Sequence, residues 1–186
     1  MPSDLALFLG QLIRRPHQVV ALAPSSADLA RAMAAGLGPE TGPVAEFGAG
    51  TGRLTRAILD RGVAPADLTL FEMNPEFCDR LRDSFPGVRV LNEPAQQVAH
   101  RCAPGLGAVI SGLPLLSMPD AVQAEILGGA FAVLRPGGVF VQFTYGPRPP
   151  LAETVRRNLD LTAERGEKVW GNLPPARVWR YRRGRA

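Results

Sequence analysis

The chain has 186 residues, of which 46% are hydrophobic and 20% are charged, and its formal net charge is +4. This composition is typical of one soluble globular domain, which we expect to span residues 1–186. No apolar run approaches the roughly 18 residues of a membrane span, and no signal-peptide pattern opens the chain, so we expect a cytoplasmic protein. Two cysteines, Cys78 and Cys102, fit buried thiols in a reducing cytoplasm better than a disulfide framework or a zinc site, so we expect no metal site.

Arginine accounts for almost all of the positive charge, because Lys168 is the one lysine among 21 basic residues. The planar guanidinium group binds phosphate through paired hydrogen bonds, which favours a phosphate-rich partner. A genome that prefers arginine codons would produce the same composition, so both interpretations stay open.

The first part of the chain has the pattern of a helical extension, which we place at residues 1–40. Apolar residues recur from Leu5 to Ile13 with the spacing of an amphipathic helix. Arg14 and Arg15 follow directly, so this helix is predicted to lie in a membrane interface or to pack on the domain. A second helix is predicted over residues 28–35.

Strand and helix signals alternate from Val44 to Tyr145. The predicted strands are Val44–Phe47, Leu68–Glu72, Val88–Leu91, Ala108–Ser111 and Val139–Tyr145, and the predicted helices between them are Arg53–Asp60, a helix capped by Asn74, Ala95–Arg101 and Pro119–Leu134. Such alternation predicts an α/β fold in which a doubly wound parallel sheet has helices on both faces.

The pattern changes after Tyr145. A helix is predicted over Leu151–Leu161, followed by strands at Glu167–Gly171 and Ala176–Tyr181. The connection between these two strands is short, so they must pair antiparallel. The complete prediction is a seven-stranded sheet that ends in an antiparallel pair and is preceded by N-terminal helices.

The turn after the first strand carries three alternate glycines, Gly48, Gly50 and Gly52. Bare backbone at the carboxyl end of a first strand allows a ligand to approach closely, and the helix that follows favours negative charge. A dinucleotide fingerprint would have its third glycine where Arg53 stands. Glu46, just before the turn, would repel a pyrophosphate and suits a cationic ligand.

A second acid, Glu72, ends the second strand, where a carboxylate can accept hydrogen bonds from both hydroxyls of a ribose. S-adenosylmethionine combines a ribose with a sulfonium and an ammonium group, and its carboxylate can face the glycine turn. The two acids and the glycines therefore favour S-adenosylmethionine as a ligand, with S-adenosylhomocysteine as its product.

These features in this order resemble the class I S-adenosylmethionine-dependent methyltransferases, together with Leu-Arg-Pro-Gly-Gly (Leu134–Gly138) and the final antiparallel pair. The resemblance covers residues 43–182 and implies a Rossmann-like fold. It implies that Glu46, Gly48, Gly50 and Gly52 surround the methionine part of the donor, that Glu72 and Met73 hold ribose and adenine, and that Glu93 lies beside the adenine amine, a role that Asn92 could share. Ser111 would lie where the donor meets its acceptor.

Three further stretches carry a narrower resemblance, to the bacterial phospholipid N-methyltransferases. They are Leu22–Arg31, Phe140–Pro147 and Asn172–Arg183, and Ser-Gly-Leu-Pro-Leu-Leu from Ser111 supports them. The resemblance implies stepwise conversion of phosphatidylethanolamine to phosphatidylcholine by a peripheral protein on the inner face of the cytoplasmic membrane.

Candidate acceptor residues follow from that resemblance. Tyr145 and Ser111 are the catalytic candidates, and Tyr145, Leu113, Arg148 and Arg180 are the candidates for binding the lipid. Arg180 would hold lipid phosphate or lie on a solvated strand. Ser26 would bind the donor or cap the helix that follows it.

Two other functions remain open. An RNA adenine methyltransferase would suit the basic charge, but Leu115 stands where such enzymes carry an aromatic residue to stack the base, so we expect no nucleic-acid partner. A non-catalytic module would bind S-adenosylmethionine without turnover. Within the lipid hypothesis, an ornithine lipid would fit the same reasoning.

Overall fold

The structure is a computed structural model, and it describes residues 26–172 and 174–184. The predicted amphipathic helix Leu5–Ile13 lies outside the described residues. Of the predicted extension at residues 1–40, the structure describes the part from Ser26 onward. No helix within these described ranges combines the length and the apolar character needed to cross a bilayer.

One mixed sheet organises the described part of the chain. Its strands are β1 (Val44–Phe47), β2 (Leu68–Phe71), β3 (Arg89–Leu91), β4 (Leu106–Ser111), β5 (Leu134–Thr144), β6 (Leu161–Val169) and β7 (Ala176–Arg183). The spatial order is β3-β2-β1-β4-β5-β7-β6. Strands β1 to β5 pair in parallel, and β7 is antiparallel to both β5 and β6. This confirms the predicted Rossmann-like sheet with its antiparallel final pair.

Helices cover both faces of the sheet. They are α1 (Ala27–Met33), α2 (Arg53–Leu59), α3 (Pro75–Ser84), α4 (Val98–Arg101), α5 (Asp120–Val133) and α6 (Glu153–Asn158), and short 3-10 turns lie at Pro39–Thr41, Pro65–Asp67, Ala95–Gln97 and Leu115–Ser117. Apolar residues of α1, α2 and α3 share one core cluster, and those of α4 and α5 share the other. The chain is therefore doubly wound, as its alternating pattern predicted.

The central strands are buried on both faces. Every residue of β1 and β4 is buried, which is why these strands are mostly apolar and do not alternate between apolar and polar residues. Phe47 of β1 packs edge-on against Phe71 of β2, with ring centroids 5.5 Å apart. Each fully buried side chain of this size contributes about 1.5–3 kcal/mol, so the sheet centre is a rigid base for the loops at its edge.

The structure corrects the prediction between Leu151 and Gly171. The helix α6 is shorter than predicted, and β6 begins at Leu161 rather than at Glu167. Asp160 has a positive φ of 52° and reverses the chain between them. The sequence predicted only the end of this strand, because β6 lies at the edge of the sheet, where charged residues are solvated and no apolar alternation is required.

A smaller difference concerns Leu134–Gly138, which precedes the predicted strand Val139–Tyr145. Leu134 already pairs with Leu106 of β4, and the ladder resumes at Val139 opposite Ala108 after a bulge. Gly137 has a φ of 79° in this bulge, a conformation that glycine adopts without steric cost.

The carboxyl ends of six strands meet at one edge of the sheet. The strands β1 to β5 run in the same direction, and β6 shares that direction because β7 is antiparallel to both β5 and β6. The glycine turn, Glu72, Ser111 and Tyr145 all lie at this edge. We call it the carboxyl edge.

Candidate functional site

The three glycines of the turn after β1 all have positive φ, at 71°, 52° and 79° for Gly48, Gly50 and Gly52. Their surroundings differ. A β-carbon on Gly48 would lie 2.9 Å from Cδ2 of Leu113, and one on Gly52 would overlap the ring of Phe85. A β-carbon on Gly50 would have no atom within 4 Å. Two glycines therefore allow close packing within the protein, and Gly50 leaves open space beside the backbone.

Glu46 is fully buried in β1 and has one carboxyl oxygen without a partner. Its Oε2 accepts a hydrogen bond of 2.7 Å from the hydroxyl of Thr55 on α2. Its Oε1 has no hydrogen-bond partner among the described residues. Burial raises the pKa of Glu46 to about 8, so the carboxyl group is mostly neutral near pH 7. A cation placed beside Oε1 would favour the charged form.

Glu72 follows β2, and backbone groups hold its carboxylate in place. Its Oε2 accepts from the amide of Gly50 at 2.9 Å, and its Oε1 accepts from the amide of Asn74 at 2.8 Å. The side-chain amide of Asn92 donates to the carbonyl oxygens of Glu72 and Met73, at 3.0 and 2.9 Å. A carboxylate offers about four acceptor positions, so two remain available at a fixed place.

Glu93 is engaged by a cation from a neighbouring helix. Nε of Arg101 donates to its Oε2 at 2.7 Å, and a second guanidinium nitrogen lies 2.6 Å from its Oε1. This paired arrangement uses one acceptor position on each oxygen of Glu93 and balances its negative charge. A ligand amine would have to share the carboxylate with Arg101.

Farther along the carboxyl edge, hydrogen bonds connect the loop after β4 to β1 and β5. The amide of Gly112 donates to the carbonyl oxygen of Phe47 at 2.8 Å. The hydroxyl of Ser111, which is fully buried, accepts from the amide of Leu113 at 3.3 Å. The side-chain amide of Gln142 donates to the carbonyl oxygen of Leu113 at 2.8 Å. These bonds place Leu113 over Gly48.

Tyr145 directly follows β5 and is half-buried. Its ring packs edge-on against Phe143, with centroids 5.5 Å apart, and its hydroxyl is buried without a hydrogen-bond partner among the described residues. Tyr145 packs with the cluster formed by α1, α2 and α3. Ser111 follows Ile110, which points into that cluster, so strand alternation directs Ser111 to the opposite face. The two candidates share an edge but not a face.

Comparison with known proteins decides the family. A family model for the methyltransferase domain matches residues 44–138. Over 156 residues, the chain is 34% identical to an ornithine lipid N-methyltransferase from Singulisphaera acidiphila, covering 78% of this chain and 80% of that protein. The chain belongs to the class I S-adenosylmethionine-dependent methyltransferases.

Solved structures share the fold of this methyltransferase. A 1,6-didemethyltoxoflavin-N1-methyltransferase from Burkholderia thailandensis, solved with S-adenosylhomocysteine, has a TM-score of 0.74 and 19% identity, covering 100% of this chain and 91% of that one. A TehB-like S-adenosylmethionine-dependent methyltransferase from Corynebacterium glutamicum has a TM-score of 0.62 and 13% identity, covering 97% of each chain. At these identities the likeness concerns the fold alone.

The residues of this methyltransferase fit S-adenosylmethionine. Glu46 presents an unpartnered buried oxygen, Gly50 leaves open space beside the backbone, and Glu72 keeps acceptor positions free. These features match an ammonium group, a close approach and a ribose diol. The donor supplies a methyl group on a sulfonium, from which a nucleophile can take it.

The structure does not bring every predicted site residue of the methyltransferase to this place. Arg148 is exposed in the loop that follows Tyr145, at the carboxyl edge. Arg180 lies opposite Val141, well inside the sheet, and donates to the carbonyl oxygen of Ala35 at 3.4 Å. A lipid held at the carboxyl edge would meet Arg148 rather than Arg180.

Ser26 has a structural role at the start of α1. Its hydroxyl accepts from the amide of Leu29 at 3.2 Å, which is the expected helix cap. Its own amide donates to the side-chain oxygen of Asn172 at 3.0 Å. The cap interpretation is confirmed, and donor binding by Ser26 stays a prediction.

Sequence reasoning missed three polar residues that organise the site. Thr55 bonds Glu46, Gln142 holds the loop after β4, and Asn172 anchors Ser26. All three are buried, and buried polar side chains are rare unless they are paired. A polar residue inside an apolar stripe was the available signal, as for Gln142 between Val141 and Phe143.

Proposed function

We propose that the chain transfers methyl groups from S-adenosylmethionine to the primary amine of a lipid head group. The finer proposal is that phosphatidylethanolamine and its mono- and dimethyl forms are the acceptors and phosphatidylcholine is the product. The observation that carries the proposal is the 34% identity, over 78% of the chain, with a protein that methylates a lipid amine. The sequence stretches at Phe140–Pro147 and Asn172–Arg183 support the phosphatidylethanolamine version.

On the donor side we assign roles from the contacts above. Glu72, already aligned by two backbone amides, binds both ribose hydroxyls, and Met73 packs on the adenine. Glu46 binds the ammonium group, while Gly48, Gly50 and Gly52 form the turn around the methionine part. Binding of the adenine amine by Glu93 is less favoured, because Arg101 already pairs with its carboxylate.

On the acceptor side the protein has to align an amine with the methyl group. An ammonium must lose its proton before its nitrogen can attack, and alignment contributes up to roughly 7–11 kcal/mol in reactions of this kind. The unpartnered hydroxyl of Tyr145 is suited to hold the neutral amine. Its ring stabilises the cation that forms as methyl groups accumulate. Ser111 and Leu113 form the side of the acceptor site opposite Tyr145, and Arg148 interacts with the lipid phosphate.

A second candidate acceptor is an ornithine lipid, which the printed activity of the 34% identical relative favours. Both acceptors present a primary amine on a diacyl lipid, so the same site would serve either one. The choice between them depends on the groups around the amine: one acceptor carries a phosphate and the other a carboxylate. Both groups would interact with Arg148, so its presence does not separate the two.

A lipid acceptor requires the enzyme to work at a membrane surface. We place it as a peripheral protein on the inner face of the cytoplasmic membrane, with residues 1–40 as a capping extension and Leu5–Ile13 lying in the interface. Arg14 and Arg15 would add about 1 kcal/mol each near an anionic leaflet. Removing residues 1–15 should lower vesicle binding, measured by co-sedimentation, while donor affinity measured by calorimetry stays unchanged. Full vesicle binding by the shortened chain would contradict the anchoring role.

The decisive experiment offers the full chain labelled S-adenosylmethionine and three acceptors in parallel. These are vesicles with phosphatidylethanolamine, vesicles with ornithine lipid, and RNA. Label in the first lipid supports the finer proposal, and label in the second alone supports the alternative acceptor. Label confined to RNA would overturn the lipid proposal. Donor binding without transfer to any acceptor would indicate a non-catalytic module.

A further inference from the structure

Two large apolar side chains stand out on the surface of the described residues. Leu116 is 65% exposed and Trp170 is 72% exposed. Single exposed apolar residues are common and need no explanation. These two have a shared position, however, and that position coincides with the site.

Both residues project beyond the carboxyl edge. Leu116 lies in the 3-10 turn that follows β4, and Trp170 directly follows β6. Both strands run in the direction of β1, so both residues lie at the edge that carries Gly50 and Tyr145. The strands β5 and β7 separate β4 from β6, which puts the ends of these two strands about 14 Å apart across the edge, at about 4.8 Å per strand.

Positive charge accompanies this apolar pair. Nζ of Lys168 lies 3.6 Å from the ring centroid of Trp170. Arg148 is exposed in the loop after β5, between the strands that carry Leu116 and Trp170. Tryptophan rings flanked by lysine or arginine suit a bilayer interface, where the ring lies among head groups and the cation meets phosphate.

The undescribed N-terminal segment joins the structure at the same place. The amide of Ser26 bonds the side chain of Asn172, in the turn that begins at Trp170. Residues 1–25, which include the predicted interfacial helix Leu5–Ile13, therefore start from the carboxyl edge. An anchor attached there would bring this edge toward a bilayer.

We propose that the carboxyl edge is a membrane-docking face. Trp170 and Leu116 enter the interface of an anionic bilayer, and Lys168 and Arg148 meet its phosphate groups. The proposal rests on the lipid acceptor proposed above and makes it specific. A site that opens toward the bilayer lets the lipid amine reach Tyr145 while the acyl chains stay in the membrane.

The chain contains two tryptophans, which makes a direct test possible. Trp179 is 5% exposed in the core, and its indole nitrogen has no partner among the described residues, so Trp179→Phe breaks no hydrogen bond and leaves Trp170 as the sole reporter. Vesicles of phosphatidylcholine and phosphatidylglycerol with brominated acyl chains should shift its emission to the blue and quench it. Neutral vesicles, or about 0.5 M salt, should weaken the effect.

The matched control is Trp170→Phe, in which Trp179 reports from the core. Its emission should start blue and change little with the same vesicles. Absence of quenching in Trp179→Phe, with the protein co-sedimenting with the vesicles, would overturn the docking proposal. Emission from Trp170 that is already blue in buffer and insensitive to vesicles would also overturn it, because the chain's own N-terminal segment would then cover the ring.

A second variant measures affinity. The double substitution Trp170→Ala and Leu116→Ser should weaken binding to anionic vesicles about tenfold or more and leave donor binding unchanged. Vesicle affinity equal to that of the unmodified chain would contradict the proposal. Quenching without lipid methylation would contradict the proposed acceptor and support the docking face. Lipid methylation without quenching would support the proposed acceptor and contradict the docking face.

Discussion

The donor side and the acceptor side of the site are held in place by different chemical groups. On the donor side, backbone groups set the geometry: the amides of Gly50 and Asn74 donate to Glu72, and the side chain of Asn92, just after β3, donates to the two carbonyl oxygens that follow β2. On the acceptor side, side chains set it, and the hydroxyl of Tyr145 and Oε1 of Gln142 are left unpartnered among the described residues. Oε1 of Glu46 is the corresponding unpartnered atom on the donor side, so the two sides differ in which groups fix their geometry, and both leave polar atoms available to a ligand.

The largest effect should come from removing the carboxylate of Glu72 on the donor side. Glu72→Ala removes the ribose acceptor and leaves the amides of Gly50 and Asn74 without their partner. Hydrogen bonds to charged groups are worth about 1.5–3 kcal/mol each, so donor affinity should fall at least about a hundredfold in calorimetry. The control is Glu76→Ala on the exposed start of α3, which changes the charge equally. A Glu72→Ala protein that binds the donor as the unmodified chain does would remove Glu72 from the site.

A second substitution asks whether open backbone is needed at Gly50. Gly50 and Gly36 both have positive φ, and a β-carbon on either would meet no atom within 4 Å. Alanine at either position should therefore cost about 1–2 kcal/mol of stability through the left-handed conformation. Only Gly50→Ala should also weaken donor binding, by about thirtyfold. Equal donor affinities in the two variants would show that no ligand approaches Gly50.

The charge state of Glu46 couples the donor to pH. Burial raises its pKa to about 8 in the free protein, and a bound ammonium group lowers it, so binding releases a proton. Donor affinity should rise about tenfold from about pH 6 to about pH 7.5, below the pKa of the donor's own amine. Glu46→Gln should flatten this dependence. A parallel dependence in both proteins would place the donor's ammonium elsewhere.

The same shift affects the free protein. The pKa of Glu46 is raised in the folded state from an ordinary value of 4.5. Its stabilising contribution is therefore complete below about pH 4.5 and is lost as the pH rises through about 8. Thermal unfolding of Glu46→Gln should lose less stability across that window than the unmodified chain does.

The smallest effect should come from a substitution on the acceptor side that lowers turnover and leaves donor binding unchanged. Tyr145→Phe keeps the ring and removes the hydroxyl, so turnover on lipid should fall about fivefold, which corresponds to one hydrogen bond of about 1 kcal/mol. Donor affinity should not change, because the donor side is held by other groups. Tyr181→Phe, at the other tyrosine of the chain, is the matched control. A loss of donor affinity in Tyr145→Phe would show that Tyr145 also contributes to donor binding.

Local chemistry explains which features could be predicted. Glycines that need positive φ, the Asn74 cap and the acids at strand ends each depend on a few neighbouring residues, and the structure has them where the sequence indicated. The first part of β6 could not be recognised, because four of its nine residues are charged and its pairing with β7 is a tertiary relation. The pairing of Glu93 with Arg101 likewise depends on how α4 packs.

The sequence by itself determined the order of strands and helices, the turn after β1 and the family, because hydrophobic period and turn chemistry are local properties of the chain. Only the tertiary structure decided that Ser111 and Tyr145 occupy opposite faces, that Arg180 lies inside the sheet, and that Leu116 and Trp170 share an edge. Those relations depend on strand order and register, which bring residues distant in sequence to one side of the sheet.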